Sequence, residues 1–161
     1  MGLGSIIIFT GLFIRSLWCS EGRWAVISKE MIESGNFFYP TINGVLYFDK
    51  PLLSYWAIIP FSLKSGVIEV TSRIPSAIAG FCTVIITFII GRRLFDSKTS
   101  FISTGLLLTT IMFLFWARHA SSNMLNLLSM WLMFFFFITG GLEGRFFNLF
   151  VIYSIGAIAF F

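Results

Sequence analysis

The chain has 161 residues, of which 57% are hydrophobic and 11% charged, with 21 phenylalanines and a formal net charge of +4. Soluble domains run at about 45–50% and about 25%, so a water-soluble fold of this length is excluded, whereas lipid can solvate such a surface. The basic residues are scattered and form no stripe, which argues against a nucleic-acid partner; in a membrane protein such a surplus sets orientation.

Gly2 to Trp18 is an apolar run with Arg15 near its end. No basic segment precedes it and no clear cleavage site follows, so a first transmembrane helix over about residues 3–18 is expected rather than a signal peptide. Arg15 is expected to snorkel to the interface. A polar stretch over about 19–72 comes next. Within it, Trp24, Ile27 and Met31 recur at i, i+3 and i+7 while Lys29, Glu30 and Glu33 take the other face, which predicts an amphipathic helix from Glu21 to Ser34 ended by Gly35. Such a helix lies in the interface rather than crossing it. Pro40 and Asn43-Gly44 mark turns. Leu52 to Leu63, interrupted by Pro60, is too short to span and is expected to be re-entrant or interfacial.

Arg73 to Leu94 is the next expected span, with Pro75 in its first turn, where proline costs little. Arg92, Arg93 and Lys98 crowd the connection after it and mark the cytoplasmic side. Residues 101–117 return, 123–139 go back, Gly141 to Arg145 form a second cytoplasmic turn, and 147–161 start a fifth span. Residues 19–72 and 118–122 then share the outer face, where they can meet. The run GAIAFF carries no polar anchor. The expected architecture is an all-α integral membrane bundle, truncated after about five spans and the front part of something longer. Cys19 and Cys82 fall in different surroundings and predict neither a disulfide nor a metal site.

Chemistry is expected in the polar stretch. Arg23 and Lys50 could hold a lipid phosphate, one as a planar fork and the other as a point charge. Glu21 and Asp49 could bind a divalent metal or take a proton from a hydroxyl. Equally, all four could be solvated loop charges. Tyr47, Phe48, Tyr55 and Trp56 could grip a sugar ring or a prenyl chain, or form an interfacial aromatic belt. His119, beside Arg118, reads most simply as an interfacial side chain. There is no Gly-rich phosphate loop, no Ser-His-Asp order and no zinc spacing.

The run SEGRWAVISKEMIESGNFFYPTINGVLYFDKPLLSYW, followed by SRIPSAIAG and GRRLF, resembles the amino-terminal part of the GT-C-type membrane glycosyltransferases. It is most similar to the aminoarabinose transferases of lipid A and the protein O-mannosyltransferases of glycosyltransferase family 39. The likeness covers about Ser20 to Asn126. It implies a GT-C multi-span helical bundle with interfacial helices in its outer loop, set in the cell (inner) membrane. It also implies transfer of a sugar, with inversion, from a polyprenyl-phosphate donor to a lipid or protein acceptor on the outer face. By the same resemblance Arg23 and Lys50, with Tyr47 beside them, hold the lipid phosphate, and Asp49 contributes to a divalent metal site. The family's first acidic pair reads Ser20-Glu21 here, and a later acidic position is Asn123. Serine and asparagine do not serve as general bases at neutral pH and bind cations less strongly than carboxylates, leaving Glu21 and Asp49 as the catalytic candidates. The alternative is a non-catalytic, truncated or decayed relative whose spans still insert.

Overall fold

The computed structural model describes residues 2–141 and 143–160; Leu142 of the second short turn and Phe161 of the expected fifth span lie outside them. Helix α1 (Gly2–Phe9) leads through an unwound segment to α2 (Glu21–Ser34). A hairpin of β1 (Thr41–Ile42) and β2 (Val45–Leu46) precedes α3 (Leu52–Ser65) and the long α4 (Glu69–Leu94). Then come α5 (Ser97–Thr109), α6 (Ile111–Ala117), α7 (Asn123–Phe136) with a π-helical turn over Phe137–Gly141, and α8 (Phe146–Phe160).

The first expected span is the largest departure. Its helix stops at Phe9, and the chain passes through Gly11 at φ +83°, a conformation that glycine alone adopts without steric cost. The cause lies in α4. The Arg73 guanidinium accepts no alternative to hydrogen bonding once buried, and it donates to the carbonyls of Leu12 and Arg15 at 2.7 Å and of Ser16 at 3.0 Å. A continuous helix would have kept those carbonyls for its own N–H groups.

Helix α2 has the expected bounds, with Gly35 in the left-handed conformation at φ +69°. Its Trp24, Ile27 and Met31 pack on Leu52, Tyr55, Ile58 and Ile59 of α3. That packing explains why α3 runs unbroken through Pro60 instead of stopping there. A mid-helix proline costs about 3 kcal/mol, and each buried apolar side chain contributes about 1.5–3 kcal/mol. The Asn43-Gly44 turn closes a true hairpin, both residues having positive φ as a tight two-residue connection requires. Glu30 of α2 accepts from the Thr41 hydroxyl and from the Asn43 N–H at 2.6 Å. The Thr41 contact first, then the backbone N–H donors, hold its carboxyl below the usual range.

Helix α4 begins at Glu69, four residues before the expected start, so Pro75 sits beyond the first turn. Thr71 supplies the cap, its Oγ1 accepting from the Ile68 N–H at 2.9 Å. At ~1.5 Å per residue its 26 residues reach about 39 Å, enough to cross a hydrocarbon core of about 30 Å. Glu69–Leu94 and Asn123–Gly140 are the two described helices long and apolar enough to cross alone. The span expected over 101–117 is instead α5 and α6, bent by 70° at the extended Thr110. The Thr109 and Thr110 hydroxyls both donate to Leu106 O, at 2.8 and 3.0 Å, which uses the carbonyl that the bend frees. The apolar α8 is shorter.

Helix α4 is the axis on which α1, α5, α6 and α7 pack. Small residues set the approach. A Cβ at Gly80 would lie 2.9 Å from Ala117 Cβ, and one at Gly91 would lie 3.0 Å from Ser100 Oγ. Ile8, Ala77, Val84, Phe113 and Met124 fill the core between these helices.

Candidate functional site

Glu21, the first residue of α2, gathers five hydrogen bonds. It is fully buried. Arg73 donates to it twice, Nε to Oε1 and Nη2 to Oε2, each at 2.7 Å. The backbone N–H groups of Trp18 and Ala120 add a contact each at 3.0 Å, and Arg15 reaches Oε2 at 3.4 Å. Burial pushes this carboxyl up; Arg73 and the two backbone donors outweigh it and hold the group at about 2. Such a carboxylate is a poor base, and its lone pairs are taken. The geometry therefore makes Glu21 a structural anchor that ties the unwound segment, α2, α4 and the loop 118–122 together.

On the other side of this anchor lies a polar cavity of about 560 Å3, lined by Ser20, Arg23, Asp49, Lys50, Asn123 and Asn126 among others. The two segments do meet here, and five of the sequence-derived candidates line the same cavity. They arrive from three places: the start of α2, the turn between β2 and α3, and the start of α7. Arg23 Nη1 donates to Tyr47 Oη at 2.7 Å, and Tyr47 Oη donates to Asp49 Oδ2 at 2.9 Å. Lys50 Nζ lies 3.0 Å from the same Oδ2. Arg23 also sits over the Tyr47 ring, 5.7 Å from its centroid. The Lys50 ammonium, then the Tyr47 hydroxyl, hold the Asp49 carboxyl below its ordinary range. The result is two cations kept apart by one tyrosine–aspartate bridge, both open to the same space.

Ser20 and Asn123 face the cavity as neutral groups. Ser20 Oγ lies 3.2 Å from Nε2 of His119, a buried ring stacked on Phe115 at 5.2 Å. Sequence reasoning gave no role to Arg73 or Ser76 of the SRIPSA motif. Arg73 holds Glu21, and Ser76 Oγ donates to Ser121 O at 3.3 Å, fixing the loop that forms the cavity's far wall. The usable signal was an arginine at the mouth of an apolar helix, since a cation there demands a partner.

A divalent metal does not fit these residues. Asp49 is the one carboxylate among the described residues lining the cavity, and its Oδ2 already takes Tyr47 and Lys50. The remaining oxygen donors are neutral, and the nearby charges are cationic. Hard divalent cations ask for several carboxylate or carbonyl oxygens, and no group of three or more His, Cys, Asp or Glu occurs among the described residues.

Residues 49–161 match the family described as dolichyl-phosphate-mannose-protein mannosyltransferase. Among relatives, the undecaprenyl phosphate-alpha-4-amino-4-deoxy-L-arabinose arabinosyl transferase of Shewanella sediminis is 29% identical over 122 residues, which is 75% of this chain and 22% of that protein. A Pseudomonas fluorescens enzyme of the same description is 36% identical over 87 residues, 53% of this chain and 15% of that protein. The crystal structure of ArnT from Cupriavidus metallidurans bound to undecaprenyl phosphate superposes with a TM-score of 0.89 at 23% identity, covering 98% of this chain and 30% of that one. The fold is thus that of the amino-terminal region of a GT-C membrane glycosyltransferase. The chain belongs to the dolichyl-phosphate-mannose-protein mannosyltransferase family, and it spans less than a third of the length of these relatives.

Proposed function

We propose that this chain forms the donor-phosphate site of a polyprenyl-phosphate sugar transferase, working at the outer face of the cell membrane. The observation that carries the reading is the convergence of Arg23 and Lys50 on one polar cavity, with Tyr47 and Asp49 holding the two cations in fixed directions. A phosphate diester suits that pair. Arg23 offers a fork and Lys50 a point charge, both giving charge-assisted hydrogen bonds. In transfer, an oxygen of the lipid or protein acceptor bonds to the sugar's anomeric carbon as the bond from that carbon to the phosphate oxygen breaks. The polyprenyl phosphate leaves with the electron pair, and the two cations stabilise the charge that grows on it.

Titration of the chain in nanodiscs with undecaprenyl phosphate tests this reading. Contacts from a charged donor are worth roughly 1.5–3 kcal/mol, so Arg23→Ala and Lys50→Ala should each weaken binding about tenfold or more. Lys50→Arg should restore it only in part. Equal affinity of both alanine variants and the unaltered chain would return these residues to solvated loop charges.

A second reading, a member that binds the lipid phosphate without transferring sugar, is favoured by one observation. The acid that lines the cavity is already paired with Lys50, and Ser20 and Asn123 are neutral. Turnover of a labelled donor above a Lys50→Ala control separates the two.

A further inference from the structure

Building on the transferase reading, we propose that Ser20 and His119 form a proton relay out of the cavity, with His119 Nε2 as the final proton acceptor and Glu21 as its counter-charge. Ser20 lines the cavity with Arg23 and Lys50. Its Oγ is 3.2 Å from His119 Nε2, and on the ring's other edge Nδ1 lies 3.6 Å from Glu21 Oε1. Phe115 stacks on the imidazole and Trp116 meets it edge-on at 5.3 Å, so aromatic rings pack against it on two sides.

The direction of the hydrogen bonds follows from charge. Glu21 is an ionised carboxylate and only accepts. A lone pair on Nδ1 would face the negative charge of Oε1 at 3.6 Å, so the ring proton belongs on Nδ1. Nε2 then presents its lone pair to Ser20, and the serine hydroxyl donates to it. The separation of 3.6 Å is longer than a hydrogen bond, and among the described residues Nδ1 makes none. An imidazolium therefore gains more from Glu21 than the neutral ring does. The charged groups that face His119 are Glu21 of α2, Arg73 of α4 and Arg15 of the unwound segment. Burial lowers the histidine's pKa, Glu21 opposes that, and the two arginines add to it. The resting ring is neutral, as a proton acceptor has to be.

The step balances. The acceptor's O–H donates to Ser20 Oγ, and Ser20 passes its own proton to His119 Nε2 as the acceptor oxygen bonds to the anomeric carbon. The bond from that carbon to the phosphate oxygen breaks, and polyprenyl phosphate departs with the electron pair. The chain thus gains a base at a position where serine alone supplies none. No sequence spacing announces it, because residues 20 and 119 are 99 apart.

The chain has one histidine, so imidazole-15N-labelled protein in nanodiscs gives a single ring to read by NMR. The expected result at pH 7 is the neutral Nδ1–H tautomer, with Ser20→Ala moving the Nε2 resonance and leaving the proton on Nδ1. An Nε2–H tautomer, or a ring charged at pH 7, overturns the relay. Undecaprenyl phosphate titrated into the same samples keeps the two readings apart. Lost lipid binding with the expected tautomer sinks the transferase reading, and with it the relay's role in transfer, while retained binding with the wrong tautomer sinks the relay alone. In the transfer assay, Ser20→Ala and His119→Gln should each lower turnover about 100-fold with little change in KM, and should remove the acidic limb of the pH profile. Ser20→Asp in the His119→Gln background should recover turnover, since a carboxylate in the cavity replaces the relay. Turnover and pH profile unmoved by His119→Gln overturn it.

Discussion

Arg73 and Glu21 are 52 residues apart in the chain and face each other through two hydrogen bonds of 2.7 Å, both side chains almost wholly out of water. Removing one partner of such a pair strands a buried charge and costs about 3–5 kcal/mol, whereas removing both costs much less. Arg73→Met should therefore unfold far more readily in detergent than the double variant Arg73→Met/Glu21→Gln. Equal melting of the single variant and the unaltered chain would show that the pair anchors nothing. Acid gives a second readout of the same pair. The folded Glu21 carboxyl lies at about 2 against an ordinary 4.5, so its stabilisation is complete above about 4.5 and fades as pH falls towards 2. Glu21→Gln should flatten that part of the stability profile.

Tyr47 joins Arg23 to Asp49 through its hydroxyl. Tyr47→Phe keeps the ring under Arg23 and removes the bridge, a loss of about 1 kcal/mol of positioning. Undecaprenyl phosphate affinity should fall about fivefold, less than for Arg23→Ala. A change as large as that of Arg23→Ala would mean that the hydroxyl touches the phosphate itself.

Chelation should leave lipid-phosphate binding as it was, because Asp49 is paired with Lys50 and the cavity offers no second carboxylate among the described residues. The comparison is a titration with undecaprenyl phosphate in EDTA and in millimolar magnesium. A tenfold gain in affinity on adding magnesium would restore the metal.

Gly91 meets Ser100 where a Cβ would approach Oγ to 3.0 Å and the backbone Cα to 3.1 Å. Overpacking of this kind costs typically about 1–3 kcal/mol. Gly91→Val should lower the melting temperature in detergent, while Gly105→Ala, with open space around it, should not. Matching shifts for the two would contradict the close approach of α4 and α5.

The basic cluster Arg92, Arg93 and Lys98 predicts the sidedness. Cysteines placed singly at Ser34 and Ser97, in a chain lacking Cys19 and Cys82, should differ towards an impermeant thiol reagent in intact cells. Ser34 should label and Ser97 should be protected; the reverse would invert the topology.

Local signals were legible in the sequence, and long-range ones were not. The bounds of α2 follow from its apolar spacing and Gly35, and the Asn43-Gly44 turn from its residue types. The early start of α4 was hidden, because Glu69 and Ser72 look too polar for a span. The break after Phe9 was hidden too: what unwinds those residues is a guanidinium from position 73. No proline or glycine stands at the Thr110 bend, and only the paired threonines hint that a carbonyl there needs a new donor. The cavity residues were named from motif resemblance. Their mutual hydrogen bonds, and the part played by His119, needed coordinates.

The contacts of Glu21 also set a timetable for biogenesis. Its partners are encoded at positions 15, 18, 73 and 120, so the polar loop cannot lock as it leaves the ribosome. Ala120 follows Glu21 by 99 residues, which at roughly 5–20 residues per second means a wait of about 5–20 seconds. Through that interval a glutamate without its full set of partners, an unwound segment and an open amphipathic helix sit at the exit of the insertion machinery. Quality control that recognises exposed charge at the membrane surface has its window there, and it closes when the loop after α6 arrives.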